Sequence, residues 1–212
     1  MAIHEQPSWR LEDAAVVAAE NPYTFYKPSA KAIALLRPGN LVKLIFAFES
    51  DDFDAPRAER MWVQIDCINK DWFCGHLDNE PRHIKDLKPG DVVEFGARHV
   101  IQTSIADPVP DPTAPYRRRC FVTNRVLNEG ALVGYLYREP PDQEGDSGWR
   151  ITAGDETDAY MDNPKNSAYV SLGAVLSEDD SFRELLGTPA PCAYARNGET
   201  GRFESIDPPK PS

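Results

Sequence analysis

The 212-residue sequence predicts an α+β fold made of two small β-rich modules, each a curved antiparallel sheet with one or two short helices. Three observations carry that prediction. Strand-like and helix-like stretches come in separate runs instead of strict alternation. A Pro-Gly turn feeding an apolar strand occurs twice, at Pro38-Gly39 and at Pro89-Gly90. Four of the 19 prolines (Pro108, Pro110, Pro112 and Pro115) fall within eight residues, where they deny a helix or central strand its amide donors. Residues 104–117 therefore read as a stiff linker between an N-terminal module, 1–103, and a C-terminal module, 118–206. Residues 207–212 read as a disordered tail.

The N-terminal module opens with Leu11 to Glu20, an alanine-rich helix with a hard stop at Asn21-Pro22. Ser29 caps a second short helix through Leu36. The two related stretches Leu36 to Val42 and Leu87 to Val93 place Pro and Gly at the centre of type II turns. Met61, Val63, Ile65 and Cys67 alternate with Trp62, Gln64 and Asp66, the period of a half-buried strand. Asn69-Lys70-Asp71 turns the chain into a partner strand, Trp72 to Leu77. Four strands with a short helix before the last make a small curved sheet or partial barrel.

In the C-terminal module, Cys120 to Val126 and Val133 to Arg138 flank Asn128-Glu129-Gly130, which reads as a hairpin connection. Trp149 to Thr152 forms a third strand. Ser177-Glu178-Asp179-Asp180 resembles a capping box for a helix with Phe182, Leu185 and Leu186 as its apolar stripe, stopped by Gly187 and Pro189. Ala190 to Arg196 returns as a strand.

Charge narrows the function. Lys and Arg number 23 and Asp and Glu 34, a net charge of −11 that repels phosphate backbones and anionic lipid. No nucleic-acid or membrane partner is expected. No apolar run approaches the roughly 20 residues of a membrane span, and Met1 to Glu5 lacks the order of a signal peptide. Four scattered cysteines are too few for a disulfide framework, which points to a reducing cytoplasm.

The acids are concentrated. Glu139, Asp142, Glu144, Asp146, Asp155, Glu156, Asp158 and Asp162 share a 24-residue window with one base, Arg150. Trp149, Tyr160, Tyr135 and Tyr137 lie in or beside it. Such a window either steers and grips a basic partner or is a solvated loop beside core aromatics. Its Asp155 to Asp162 carboxylates also have the hard-oxygen chemistry for calcium or magnesium, although no EF-hand spacing is present. Cys67, Cys74 and His76 lack zinc-site spacing; Cys74 and His76 share a strand face, as a partial thiolate site or as a buried thiol beside a surface imidazole. Gly145-Asp146-Ser147-Gly148-Trp149 does not centre a serine as a nucleophile elbow does, and phosphate loops are absent. No catalytic residue, metal or cofactor is assigned.

Val122-x-Asn124-x-Val126, Glu129-Gly130, Val133-Gly134-Tyr135-x-Tyr137-Arg138-Glu139, Asp146-Ser147-Gly148-Trp149-Arg150, Gly154-Asp155-Glu156, Tyr160 and Asp162-Asn163 follow one another in order. This series resembles the bacterial immunity-protein-33-like family, also called domain of unknown function 2185, over about residues 119–204. Ile151 departs from the aromatic residue expected after Trp-Arg. The N-terminal half more loosely resembles domain of unknown function 2314, through Trp62-Val63, Gly75-x-Leu77-x-Asn79 and Leu87-Lys88-Pro89-Gly90-Asp91-x-Val93.

The first resemblance implies a non-enzymatic protein that binds and neutralises a cognate, basic bacterial toxin of a polymorphic toxin system. Under it, Gly134, Gly148, Trp149, Arg150 and Gly154 serve the fold. The acids Glu139, Asp142, Glu144, Asp146, Asp155, Glu156, Asp158 and Asp162, with Tyr160, serve the interface. Two other readings remain: a metal-dependent enzyme using the Asp155 to Asp162 carboxylates, and a housekeeping interaction module without a toxin.

Overall fold

The computed structural model describes residues 7–50 and 56–210. It divides into two compact units, residues 1–21 with 25–111 and residues 22–24 with 112–212. Among the described residues no helix is long and apolar enough to cross a membrane. The N-terminal hexapeptide and residues 211–212 of the expected tail lie outside the described residues; residues 207–210 are exposed and without regular structure.

The first unit runs β1 (Trp9–Leu11), α1 (Ala14–Glu20), α2 (Ala30–Leu35), β2 (Leu41–Phe48), β3 (Ala58–Asn69), β4 (Trp72–Leu77), β5 (Val92–Gly96) and β6 (Val100–Thr103). The first helix starts three residues later than its composition predicts. Leu11 is held in β1 opposite Phe46, and the first usable cap is Asp13, whose carboxylate accepts the Ala15 N–H. The second helix is capped as expected, with the Ser29 hydroxyl accepting from Ala32. Both Pro-Gly turns form, with their glycines at φ 89° and 86° and the amides of Asn40 and Asp91 donating back to the carbonyls of Arg37 and Lys88.

β2 pairs with β3 on one edge and with β1 and β6 on the other, while β3, β4 and β5 follow in order. A flat sheet would hold β5 and β6 four spacings apart, about 19 Å. Only Ala97–His99 separates them, and four Cα steps reach at most about 14 Å. The sheet must curl, and it is barrel-like. Its interior is filled by Val42, Leu44, Phe46, Val63, Ile65 and Phe95.

Met61, Val63 and Ile65 are buried as their alternation predicts, but Cys67 is exposed. An irregularity between Ile65 and Cys67 shifts the register there. The tight turn at Lys70-Asp71 then sets Cys67 opposite Cys74, with Cα atoms 5.1 Å apart, and the two are joined as a disulfide. This corrects the reading of Cys74 as a thiol. His76 instead pairs with Asp66 at 3.0 Å.

Residues 104–111 pack with the first unit. The Ser104 amide donates to Leu41, and the Asp107 carboxylate accepts from Tyr26, from the amide and hydroxyl of Ser29 and from the Val109 amide. Residues 112–117 go with the second unit, where Thr113 is buried and Tyr116 packs on the core.

The second unit comprises β7 (Arg119–Thr123), α3 (Asn124–Leu127), β8 (Tyr135–Arg138), β9 (Asp146–Thr152), α4 (Asp158–Met161), β10 (Ser167–Ser171), α5 (Leu172–Glu178), β11 (Cys192–Arg196) and β12 (Phe203–Ile206). Its sheet has the order β10-β7-β9-β8-β11-β12, with β7 and β9 parallel and the other pairs antiparallel. The expected hairpin across Asn128-Glu129-Gly130 does not form. The chain leaves β7 through α3, which carries Val126 into the core, and β9 inserts between β7 and β8.

The expected helix after Ser177 is also displaced. The helix α5 precedes it, capped by the Ser171 hydroxyl on the Ala174 amide, and ends at Asp179. The Asp179 carboxylate accepts from the amides of Val133 and Ser181 and from Arg196, so it is spent on joining strands. Residues Arg183–Gly187 form a 3-10 turn, with Phe182 fully buried.

Candidate partner-binding surface

The second sheet has one covered face. Cys120, Val122, Leu136, Trp149 and Ile151 point into a core shared with Val175 and Phe182. Side chains alternate across a strand, so Phe121, Arg150, Tyr135 and Tyr137 point the other way. Register aligns them: Tyr169 is opposite Phe121, Phe121 is beside Arg150, and Arg150 is opposite Tyr137. Ala193 and Ile206 extend the row across β11 and β12.

Neighbours in this row are in ring contact in two groups. The Phe121 and Tyr169 rings lie 4.8 Å apart, the Arg119 guanidinium sits 5.5 Å from the Tyr169 ring, and that of Arg150 sits 4.9 Å from Phe121. Tyr135 and Tyr137 contact each other at 5.7 Å. Phe121 remains 40% and Ile206 41% exposed. An open aromatic row of this kind has the composition of an interface centre.

Arg150 is fixed in the middle of the row. Its Nε donates to Glu139 at 2.7 Å, and its terminal nitrogens donate to both oxygens of Asp146 at 3.1 Å. Burial opposes the charge on Arg150, but the two carboxylates outweigh it and raise its pKa. Burial likewise opposes ionisation of Asp146, yet hydrogen bonds from Arg150 and the Gly148 amide hold its carboxyl below the ordinary value.

The acids predicted for the interface do not behave as one set. Asp146 is 0% exposed, which removes it from any contact surface. It is a structural counterion, because the buried Arg150 requires one. Glu156 is half-buried and accepts from the Thr123 hydroxyl and from the amides of Ala153 and Gly154. Burial opposes its ionisation, but those donors keep its carboxyl below the ordinary value. Asp155 is exposed and paired with Arg125 at 2.7 Å. Tyr160 is half-buried, and its carbonyl accepts from the Asn166 amide group. Glu139 is half-exposed and tied to Arg150.

Asp142, Glu144, Asp158 and Asp162 are exposed and make no ion pair among the described residues. They lie in two places. The turn between β8 and β9 carries the first pair, and the segment after β9 carries the second. The seven residues of β9 hold these groups about 20 Å apart. The aromatic row crosses β9 between them.

Gly134, Gly148, Gly154 and Trp149 all serve the β8–β9 pairing or the core beneath it. Trp149 is fully buried with the Arg138 guanidinium 5.7 Å from its ring. Among the described residues no three His, Cys, Asp or Glu side chains converge as a metal site, so the Asp155 to Asp162 carboxylates are not gathered. Phe121, Tyr169 and Arg119 were absent from the sequence-based set. Their signal is Phe121 lying between Cys120 and Val122, where strand alternation turns it to the face opposite the core.

Residues 120–207 match the family model of the Immunity protein Imm33 domain. No curated protein and no solved structure matches the chain.

Proposed function

We propose that the second unit, whose residues 120–207 match the Imm33 immunity-protein domain, neutralises a cognate protein toxin by binding a basic surface of that toxin. The open sheet face is the contact surface in this proposal. One observation carries it: a half-exposed aromatic row, with Phe121 at its most open point, running between two separate groups of unpaired carboxylates. Phe121, Tyr137 and Tyr169 supply the desolvated centre where binding energy concentrates. Asp142 and Glu144 at one end, with Asp158 and Asp162 at the other, supply steering and orientation toward positive charge. Binding suffices for this role; no catalytic step is invoked.

The test uses a candidate toxin from a neighbouring gene, purified in an inactive form, with binding kinetics at two salt concentrations. Reversing Asp142, Glu144, Asp158 and Asp162 to lysine should slow association at least tenfold and flatten its salt dependence. Phe121→Ala should mainly speed dissociation. Unchanged kinetics in both variants, with folding intact, would move the contact off this face.

A further inference from the structure

The first unit carries a depression of about 750 Å³ at one end of its barrel-like sheet, within the size range of small-molecule sites. Its walls come from α2, from the β3–β4 turn and from the 3-10 turn Ala97–His99. Ile33, Leu36, Phe73 and Ala97 line it, so its floor is the edge of the apolar core.

The rim has the opposite sign from the rest of the unit. Residues 1–111 contain 12 basic and 18 acidic side chains. Around the depression stand Lys27, Arg37, Lys70 and Arg98, against one acid, Asp71. Neutralisation of these cations is slight. Lys27 and Lys70 have no carboxylate in ion-pair range among the described residues, and Arg98 reaches Asp13 only at 3.9 Å. Arg37 is oriented by donating one terminal nitrogen to the carbonyls of Ala34 and Leu36. Four cations and one acid around an apolar floor give the depression a positive field that favours an anion.

We infer that this depression binds an amphiphilic organic anion: a carboxylate or phosphate held by the rim cations, with an apolar body on the floor. The inference is independent of toxin binding, which concerns the other unit. Calorimetric titration with dodecanoate and with dodecyl phosphate tests it. Acetate serves as the head group without a body, and dodecyltrimethylammonium as the same body with the opposite charge.

At least one of the two amphiphilic anions should bind saturably at one site, and the tighter of the two identifies the head group. Acetate and the cation should not bind. The Lys27→Glu/Lys70→Glu variant should weaken binding at least tenfold, and Ala34→Trp, which fills the depression, should do the same, both with melting temperatures close to the parent's. No saturable binding by either anion would overturn the inference. So would binding that both variants leave unchanged, or equal binding of the cationic amphiphile.

Discussion

Asp146 shows how one residue's role turns on its partners. In the sequence it is one of eight acids in a loop-like window, indistinguishable from Asp142. In the fold it is fully buried against Arg150, whose side chain is only 11% exposed, and it also accepts the Gly148 amide. Removing one member of a buried pair leaves the other charge uncompensated, at a cost of about 3–5 kcal/mol. Asp146→Ala is therefore expected to lose about 3 kcal/mol in urea unfolding, since Glu139 still holds one side of the guanidinium. Asp142→Ala, at an exposed and unpaired position, should stay within about 0.5 kcal/mol of the parent. Equal effects of the two substitutions would refute the structural assignment of Asp146. The same distinction decides which acids belong in a partner-binding test.

At the scale of elements, the β8–β9 ladder depends on glycine at both ends. A Cβ on Gly134 would lie 2.0 Å from the Ala153 carbonyl oxygen, and one on Gly148 would lie 2.1 Å from that of Glu139, where the backbone is also at φ 80°. Both contacts are with backbone, which cannot swing aside. Gly134→Ala is expected to cost about 2 kcal/mol or more by forcing the strands apart. Gly198→Ala meets nothing within 4 Å and should be close to neutral. Comparing the two denaturation midpoints checks this, and a neutral Gly134→Ala would mean the ladder tolerates separation. Elements marked by local chemistry were legible in advance: the Ser29 cap, the Pro-Gly turns and the β3–β4 hairpin each rest on residues within a few positions. The helix after Ser177 was misplaced because Asp179 mimics a cap while bonding to residues 46 and 17 positions away.

Across the whole molecule, several carboxylates are held in their ionised form by the fold. For Asp107, Asp146, Glu156 and Asp179, burial opposes ionisation, but hydrogen bonds and cations keep each carboxyl below its ordinary value. A carboxyl with a depressed folded pKa stabilises the fold above its unfolded pKa, and that contribution is lost as pH falls through the folded value. Thermal stability should thus be nearly level from pH 7 to about 5 and fall progressively below about pH 4. Melting curves at pH 7, 5, 4 and 3 measure it. A melting temperature at pH 3 equal to that at pH 7 would contradict the assigned hydrogen bonds. Asp179→Asn should lower stability at pH 7 and reduce the acid dependence, since it removes one linked proton.

The sequence by itself determined the α+β class, the Ser29 cap, the two Pro-Gly turns and the immunity-like stretch beginning near residue 120, because each is written in neighbouring residues. Tertiary structure alone decided that β9 enters parallel to β7 and that the acidic window splits into a buried counterion and two exposed groups. It also decided that Phe121 and Tyr169, from strands some 45 residues apart, form one surface. The physical reason is common to all of these. Register and burial are set by which strands become neighbours, and that choice is made by the burial of the whole apolar core, not by any local run of residues.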